Sequence, residues 1–243
     1  MTKAHPADAA SASTRQRILA AARELFAEMG YSAASISKIA ARAGVLAGSI
    51  YWAFESKEKL FAEALTQASD EWGETARLSA NDRRIGVATL REDLTLLAGT
   101  FADGPEFLRL LMVVATEHQA SSPEILAAAA AVRRMWRETL EQGLMADLAA
   151  YDPEAALALV QRISRLVLQL LDGVFMSLQI ERDQVSAQAL IAEAADLAER
   201  ELSLGVGRLP RGRALVRRQL FDLASGVVDG ERGADLDACV VGL

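Results

Sequence analysis

The segment SISKIAARAGVLAGSIYWAFESKEKL, residues 35–60, decides the fold of the N-terminal part of the chain. Its apolar residues follow helical spacing on both sides of Gly44, a residue that readily adopts the left-handed turn which side chains resist. The side chains that can pack between the two helices are Ile39, Ala40, Ala43, Val45, Ile50 and Phe54. Two short helices around such a turn predict a helix-turn-helix.

The second helix of such a motif enters the major groove of DNA, where its outward residues touch base edges. With Ile50 and Phe54 facing inward, the opposite side of the helix is formed by Ala47, Gly48, Tyr51 and Trp52. An exposed Tyr-Trp pair on a short helix is unusual in a soluble protein. The alternative is that both rings are ordinary core, although the core positions already have occupants.

The distribution of charge is uneven along the chain. Residues 1–60 carry eight Lys and Arg and five acidic residues, a balance of +3, whereas the whole chain carries −7. A basic N-terminal part on an acidic body favours local contact with phosphates. A balance of +3 is modest and also arises by chance, so charge alone does not decide the partner.

Composition favours a helical protein of the cytoplasm. Of the 243 residues, 51% are hydrophobic, Ala and Leu dominate, and β-branched and aromatic residues are sparse. The single cysteine, Cys239, excludes a disulfide framework within one chain. The N-terminal residues lack a signal-peptide pattern. The richest apolar segment, residues 166–180, is interrupted by Gln169, Asp172 and Gln179, so we expect no membrane span.

We predict an all-α chain in four parts. Residues 1–12 form a flexible tail, 13–60 a helix-turn-helix domain, 61–204 a larger helical domain for ligand binding and dimerisation, and 205–243 an extension containing arginines. The first helix starts at a capping box, residues 13–16, and ends at Gly30. Later helices begin where Pro105, Pro123 and Pro153 precede a glutamate, and the last core helix covers 186–204.

The predicted helix over 152–181 carries apolar stripes on two sides and must be buried on both. We expect one stripe to face its own domain and the other to face a second copy of the chain, together with the last core helix. The predicted dimer-interface residues are Val160, Ile163, Val167, Leu170, Val174, Leu190 and Ala194. Two alternatives stay open: the other stripe faces the partner, or the helix is entirely internal.

Two stretches, TRQRILAAARELFAEMGY at 14–31 and ISKIAARAGVLAGSIYWAFESKEKL at 36–60, resemble the tetracycline-repressor (TetR) family of bacterial regulators. The resemblance implies base-facing positions at Ser37, Ala47, Gly48, Tyr51 and Trp52. It implies phosphate contacts from Ser35, Ser49 and Lys57, with Arg15 or Arg17 reaching the adjoining backbone.

The sequence departs from the family pattern at two positions. The family usually has a polar helix cap such as Ser where this chain has Leu46, and His or Tyr where it has Ala53. A missing cap weakens a helix by roughly 0.5–2 kcal/mol. Both departures indicate weaker or differently specified DNA binding.

The resemblance also implies a small-molecule cavity in the larger domain. The candidate ligand-binding residues are Trp72, Phe107, Met112, Glu117, His118, Trp136 and Phe175. For each aromatic residue and Met the alternative is plain core, and for His118 it is a buried, hydrogen-bonded histidine. Asp172 belongs either to the dimer interface or to the cavity.

These features predict a homodimeric, ligand-responsive transcriptional regulator, a repressor that a largely apolar inducer releases from a pseudo-palindromic, double-stranded DNA operator. The alternative is a helical ligand-binding or scaffold protein with weakened DNA binding. An enzyme is not expected, because the only histidines are His5 and His118 and no phosphate-cradling glycine motif or metal-spaced cluster occurs. We expect no cofactor and no metal.

Overall fold

The computed structural model describes residues 6–79, 85–102, 105–117, 120, 122–181 and 184–212. These residues form helices and loops, with one isolated β-bridge between Tyr151 and Arg211, so the predicted all-α class is confirmed. The helices are α1 (Pro6–Ala33), α2 (Ile36–Ala43), α3 (Ala47–Phe54), α4 (Lys57–Ser79), α5 (Leu90–Leu96), α6 (Ala98–Ala102), α7 (Glu106–Thr116), α8 (Pro123–Met145), α9 (Pro153–Glu181) and α10 (Ala187–Val206).

Helix α1 differs from the prediction at its start and agrees at its end. It begins at Pro6 rather than at the capping box, because the residues before Ser13 are rich in the strong helix former Ala and Pro6 suits a first turn. The predicted tail is therefore helical from residue 6. Gly30 breaks the helix with a φ of 80°, and one short turn follows it.

Helices α2 and α3 form the predicted helix-turn-helix. The Ser35 hydroxyl caps α2 by accepting a hydrogen bond from the Lys38 backbone N–H at 3.3 Å. Gly44 ends α2 in the left-handed conformation, with a φ of 65°. Leu46 occupies the N-cap position of α3 and makes no cap hydrogen bond, because its apolar side chain has no acceptor atom.

An aromatic cluster joins the helix-turn-helix domain to the long helix α4. The rings of Phe26 and Phe61 lie 4.9 Å apart between centroids, and those of Tyr31 and Phe61 lie 5.4 Å apart, both edge to face. This arrangement is the favoured one for aromatic pairs. Because α4 also packs on α7 and α8, it connects the DNA-binding part with the larger domain.

The larger domain is a helical bundle whose elements begin largely where predicted. Helices α7, α8 and α9 start beside Pro105, Pro123 and Pro153, and the Ser122 hydroxyl accepts from the Ile125 N–H at 3.4 Å. Helices α5 and α6 follow each other directly and are divided at Leu97. Helices α9 and α10 pack along each other, and α5 packs on α10.

By length and composition alone, α9 is apolar enough to cross a membrane. Its contacts are those of a core helix, because Ile163 and Val167 are buried inside the protomer. Near its middle, Arg162 forms an ion pair with Glu201 of α10 at 2.9 Å. We therefore assign α9 to the folded core of the larger domain.

The first part of the C-terminal extension packs on the body. The Asp152 N–H donates to the Pro210 carbonyl at 2.9 Å, and the Gly212 N–H donates to the Ala150 carbonyl at 3.1 Å. The Arg211 guanidinium lies 4.8 Å from the centroid of the Tyr151 ring. Residues 213–243 of the extension lie outside the described residues.

Candidate DNA interface and effector cavity

Helix α3 presents its outward face to solvent as the sequence predicts. Ile50 and Phe54 are buried and fix the rotation of the helix about its axis. On the opposite side, Tyr51 is 53% exposed and Trp52 is 81% exposed, while Ala47 and Gly48 are also exposed. Large aromatic side chains held in water in this way indicate a binding surface.

A groove runs beside α3 toward the N-terminal helix. Its walls are formed by Thr14, Arg15, Leu46, Gly48, Ser49, Trp52 and Ala53. Leu46 is 81% exposed at its edge. The predicted phosphate-binding Ser49 is half-buried in this groove, and Ser37 lies exposed on α2.

Two of the predicted phosphate-binding cations are engaged within the protein. The Lys57 ammonium donates to the Tyr31 carbonyl and lies 4.1 Å from the centroid of the Tyr31 ring. Burial lowers the pKa of Lys57, although nearby Glu58 and Glu117 act in the opposite direction. Lys57 therefore fastens α4 to α1 in this conformation.

Arg15 is likewise paired. Its guanidinium donates to the Glu63 carboxylate, with an Nη2–Oε2 distance of 2.6 Å, and lies 4.4 Å from the centroid of the Phe54 ring. Arg17 is exposed, and one turn of helix places it on the same side of α1 as Thr14, a wall of the groove. Arg15 itself lines the groove, so a phosphate contact from Arg15 or from Arg17 stays a prediction.

The larger domain encloses a cavity of about 540 Å³ between α4, α5, α7, α8 and α9. Of the predicted ligand-binding residues, the structure brings Trp72, Phe107 and Trp136 together on its wall. Their rings contact one another, with centroids 4.9 Å apart for Trp72 and Phe107 and 4.8 Å apart for Trp72 and Trp136. Leu168 and Leu171 of α9 complete the apolar lining.

Three other predicted ligand-binding residues do not line this wall. Phe175 is buried in the core, Met112 is half-buried on α7, and Glu117 lies at the junction between the two domains. His118 lies outside the described residues. Helical spacing alone does not tell which side of a helix faces a cavity, so ligand contact at these four positions stays a prediction.

Two polar residues of the cavity, Arg133 and Ser69, were missed by sequence reasoning, which had assigned Asp172 either to the cavity or to the dimer interface. Arg133 and Asp172 form an ion pair at 2.8 Å on the wall, which places Asp172 at the cavity. The Trp136 indole N–H donates to the Ser69 hydroxyl at 2.9 Å. These partners are 39 and 67 residues apart in sequence, so no local pattern signals them.

Glu117 follows α7 and holds the bend between α1 and α2. Its carboxylate accepts hydrogen bonds from the Tyr31 N–H at 3.0 Å and from the Ser32 N–H at 2.8 Å and Oγ at 2.6 Å. Burial acts to raise the pKa of Glu117, but these hydrogen bonds outweigh it and leave the pKa below its usual value. A Cβ atom on Gly30 would overlap the Glu117 carboxylate, and the φ of 80° is one that side chains resist, so glycine suits the bend.

The predicted dimer interface needs correction. Val160, Ile163, Val167 and Val174 are buried within the protomer, as is Ala194, and therefore cannot form a contact surface. On α10, half-buried Leu190 and exposed Leu197 and Leu204 recur every seven residues and form an open apolar stripe. On α9, half-buried Leu170 and exposed Met176 and Ile180 are also open. The sequence pattern showed two apolar sides of the helix but did not distinguish the inner from the outer.

Comparison with known proteins agrees with this architecture. The model of the family described as bacterial regulatory proteins, tetR family, matches residues 18–64. The HTH-type transcriptional repressor KstR2 of Mycolicibacterium smegmatis is 31% identical over 163 residues, which cover 63% of this chain and 75% of the relative.

The chain belongs to the TetR family.

Other similarities to this TetR-family protein are shorter or structural. The HTH-type transcriptional regulator AcrR of Shigella flexneri is 44% identical over 61 residues, 25% of this chain, and the match spans only 28% of AcrR. The crystal structure of FadR from Bacillus subtilis in complex with stearoyl-CoA superposes with a TM-score of 0.58 at 21% identity, covering 75% of this chain and 96% of FadR. That likeness shows the shared fold.

The bend at Gly30 yields a test of how the two domains of this TetR-family protein are joined. We expect Gly30→Ala to lower the free energy of unfolding by about 1–3 kcal/mol, because the positive φ and the close carboxylate both exclude a methyl group. Urea denaturation measures the change. Gly99→Ala is the matched control, since a Cβ there meets no atom within 4 Å. Equal stability of the two variants would contradict the role of the bend.

Proposed function

We propose that this protein is a transcriptional repressor that binds a pseudo-palindromic operator as a homodimer and leaves it when a largely apolar molecule fills the cavity. The observation that carries this proposal is the outward face of α3. Tyr51 and Trp52 are exposed there, while buried Ile50 and Phe54 fix the orientation of the helix. A rigid helix with such a surface suits insertion into a major groove.

Dimerisation would use the open apolar stripe of α9 and α10. Exposed Ile180, Leu197 and Leu204 gain free energy when a partner covers them, at roughly 25 cal/mol per Å² of buried apolar surface. A two-fold axis between the α9 and α10 helices of two protomers would present two α3 helices, one from each protomer, to the DNA. Their half-sites on DNA are then expected about 34–36 Å apart or at a multiple of that distance.

The cavity supports an effector that is mostly apolar. Its wall combines four aromatic rings, those of Trp72, Phe101, Phe107 and Trp136, with the Arg133–Asp172 ion pair as an orienting polar group. Such a composition is typical of small-molecule sites. FadR of Bacillus subtilis, which shares the fold, was crystallised with stearoyl-CoA, a ligand with a long apolar chain.

Helix α7 offers a route from the cavity to the DNA-binding part. Its first turn places Phe107 and Leu108 on the cavity wall, and the residue that follows its last turn, Glu117, holds the α1–α2 bend. Near the same first turn, Arg23 of α1 donates to Glu106 at 3.1 Å. An effector that binds one position of α7 better than another would thereby shift the orientation of α3.

DNA binding is tested by gel shift with the DNA upstream of the protein's own gene. We expect a sequence-specific complex that weakens as salt rises, because phosphate contacts release counterions. Tyr51→Ala should lose the specific complex while the helical circular dichroism spectrum stays unchanged, since the ring is not part of the core. Leu126→Ala, exposed on α8, is the control. A folded protein without any specific complex would favour the alternative of a ligand-binding or scaffold protein.

The cavity is tested with Leu168→Trp, which adds a bulky ring to its wall. The probe is the neutral apolar dye N-phenyl-naphthylamine, whose fluorescence rises in apolar surroundings. We expect wild-type protein to bind the dye and to release operator DNA, and Leu168→Trp to bind DNA but respond weakly to the dye. Leu126→Trp should respond like wild type. Dye binding that leaves operator affinity unchanged in wild type would contradict coupling between the two sites.

The dimer is tested with Leu197→Arg, which puts a charge in the middle of the open stripe. We expect gel filtration with light scattering to show a dimer for the wild-type protein and a monomer for the variant, because an unpaired charge in an apolar contact is costly. Leu126→Arg carries the same change on an equally exposed leucine of α8 and should remain dimeric. A dimeric Leu197→Arg variant would place the interface elsewhere.

A further inference from the structure

The surface that α3 offers to DNA is uncharged and largely apolar. From Leu46 to Phe54 the sequence contains no Arg, Lys, Asn, Gln, Asp or Glu. Those side chains make the hydrogen bonds that identify guanine, adenine and cytosine by their major-groove edges. The polar side chains left on α3 are Ser49, Tyr51 and Trp52, and none of them has the two-pronged geometry of Arg or Asn.

Five cations around α3 are held by the protein, whereas Arg17 on α1 is exposed. Arg15 pairs with Glu63, and Lys57 donates to the Tyr31 carbonyl. The Lys38 ammonium donates to the Ala33 carbonyl at 3.0 Å, and Arg42 pairs with Glu24 at 2.7 Å. Lys59 pairs with Glu55.

Nothing in the fold explains why position 46 is leucine or why position 48 is glycine. Leu46 occupies the N-cap position of α3 without making a cap hydrogen bond, and 81% of it is exposed. A Cβ atom on Gly48 would meet no atom within 4 Å, so the fold does not require glycine there. An apolar side chain at the tip of α3 and an open position two residues further along fit a close, apolar contact with DNA.

We propose that α3 reads its operator chiefly through the 5-methyl groups of thymines, which pack against Leu46, Ala47 and Trp52. Thymine is the base that presents a methyl group in the major groove, and apolar side chains are its natural contacts. The missing side chain of Gly48 lets the helix approach the base edges. The proposal rests on the proposed function, because it requires α3 to lie in a major groove.

The experiment compares thymine with uracil, which differs by the methyl group alone. Duplexes that bind the full-length protein are first selected from a random pool, and the thymines of the selected half-sites are then replaced by uracil. We expect affinity to fall about fourfold for each methyl group that is lost from a contact. Uracil placed outside the half-sites is the control and should leave affinity unchanged.

The variant Leu46→Ser tests whether Leu46 is a side chain that contacts a thymine methyl group. We expect this variant to melt at a higher temperature, because serine caps α3, and to discriminate less between thymine and uracil. Leu126→Ser, on α8, should discriminate like the wild type. Equal binding of thymine and uracil duplexes by the wild-type protein would overturn the proposal while leaving the proposed function standing. Failure to select any sequence would overturn the proposed function, and this proposal with it.

Discussion

The carboxylate of Glu117 joins the two parts of the protein, and the geometry of the DNA-binding part depends on it. It accepts three hydrogen bonds from Tyr31 and Ser32, where α1 turns into α2. Hydrogen bonds to a charged group are stronger than those between neutral groups. Gly30 leaves the space that the carboxylate occupies. Because Glu117 follows the last turn of α7 and the first turn of α7 forms part of the cavity wall, this helix connects the bend with the cavity.

A second constraint is that the residues of α3 that are needed for folding differ from those that are exposed to a partner. Ile50 and Phe54 are buried, whereas Tyr51 and Trp52 on the outward side are exposed to water. Arg15 and Arg42 on the neighbouring helices form ion pairs with Glu63 and Glu24. The same division appears in the larger domain, where α9 buries Ile163 and Val167 and leaves Met176 and Ile180 open.

The fold could be read largely from the sequence, whereas the sites could be read only in part. Gly44 and the apolar spacing around it predict α2 and α3, and the proline-led helix starts predict α7, α8 and α9, because these signals are local. The dimer stripe was misassigned, since Val160 and Ile163 are as apolar as the residues on the open side. Pairs of residues that are far apart in sequence could not be predicted, for a related reason. The ion pair of Arg133 with Asp172 depends on how α8 and α9 cross, and no single stretch of sequence records that crossing.

Gly48 has an implication for how proteins of this kind diversify. Its surroundings are empty, so substitution there places no demand on the core, and the same holds for exposed Leu46 and Trp52. Under the proposed function, substitutions at Gly48 and Trp52 change what the helix recognises and leave its stability almost unchanged, whereas a polar residue at position 46 also adds a helix cap. Selection can thus explore new operators one residue at a time, without the compensating changes elsewhere that a buried reading surface would demand.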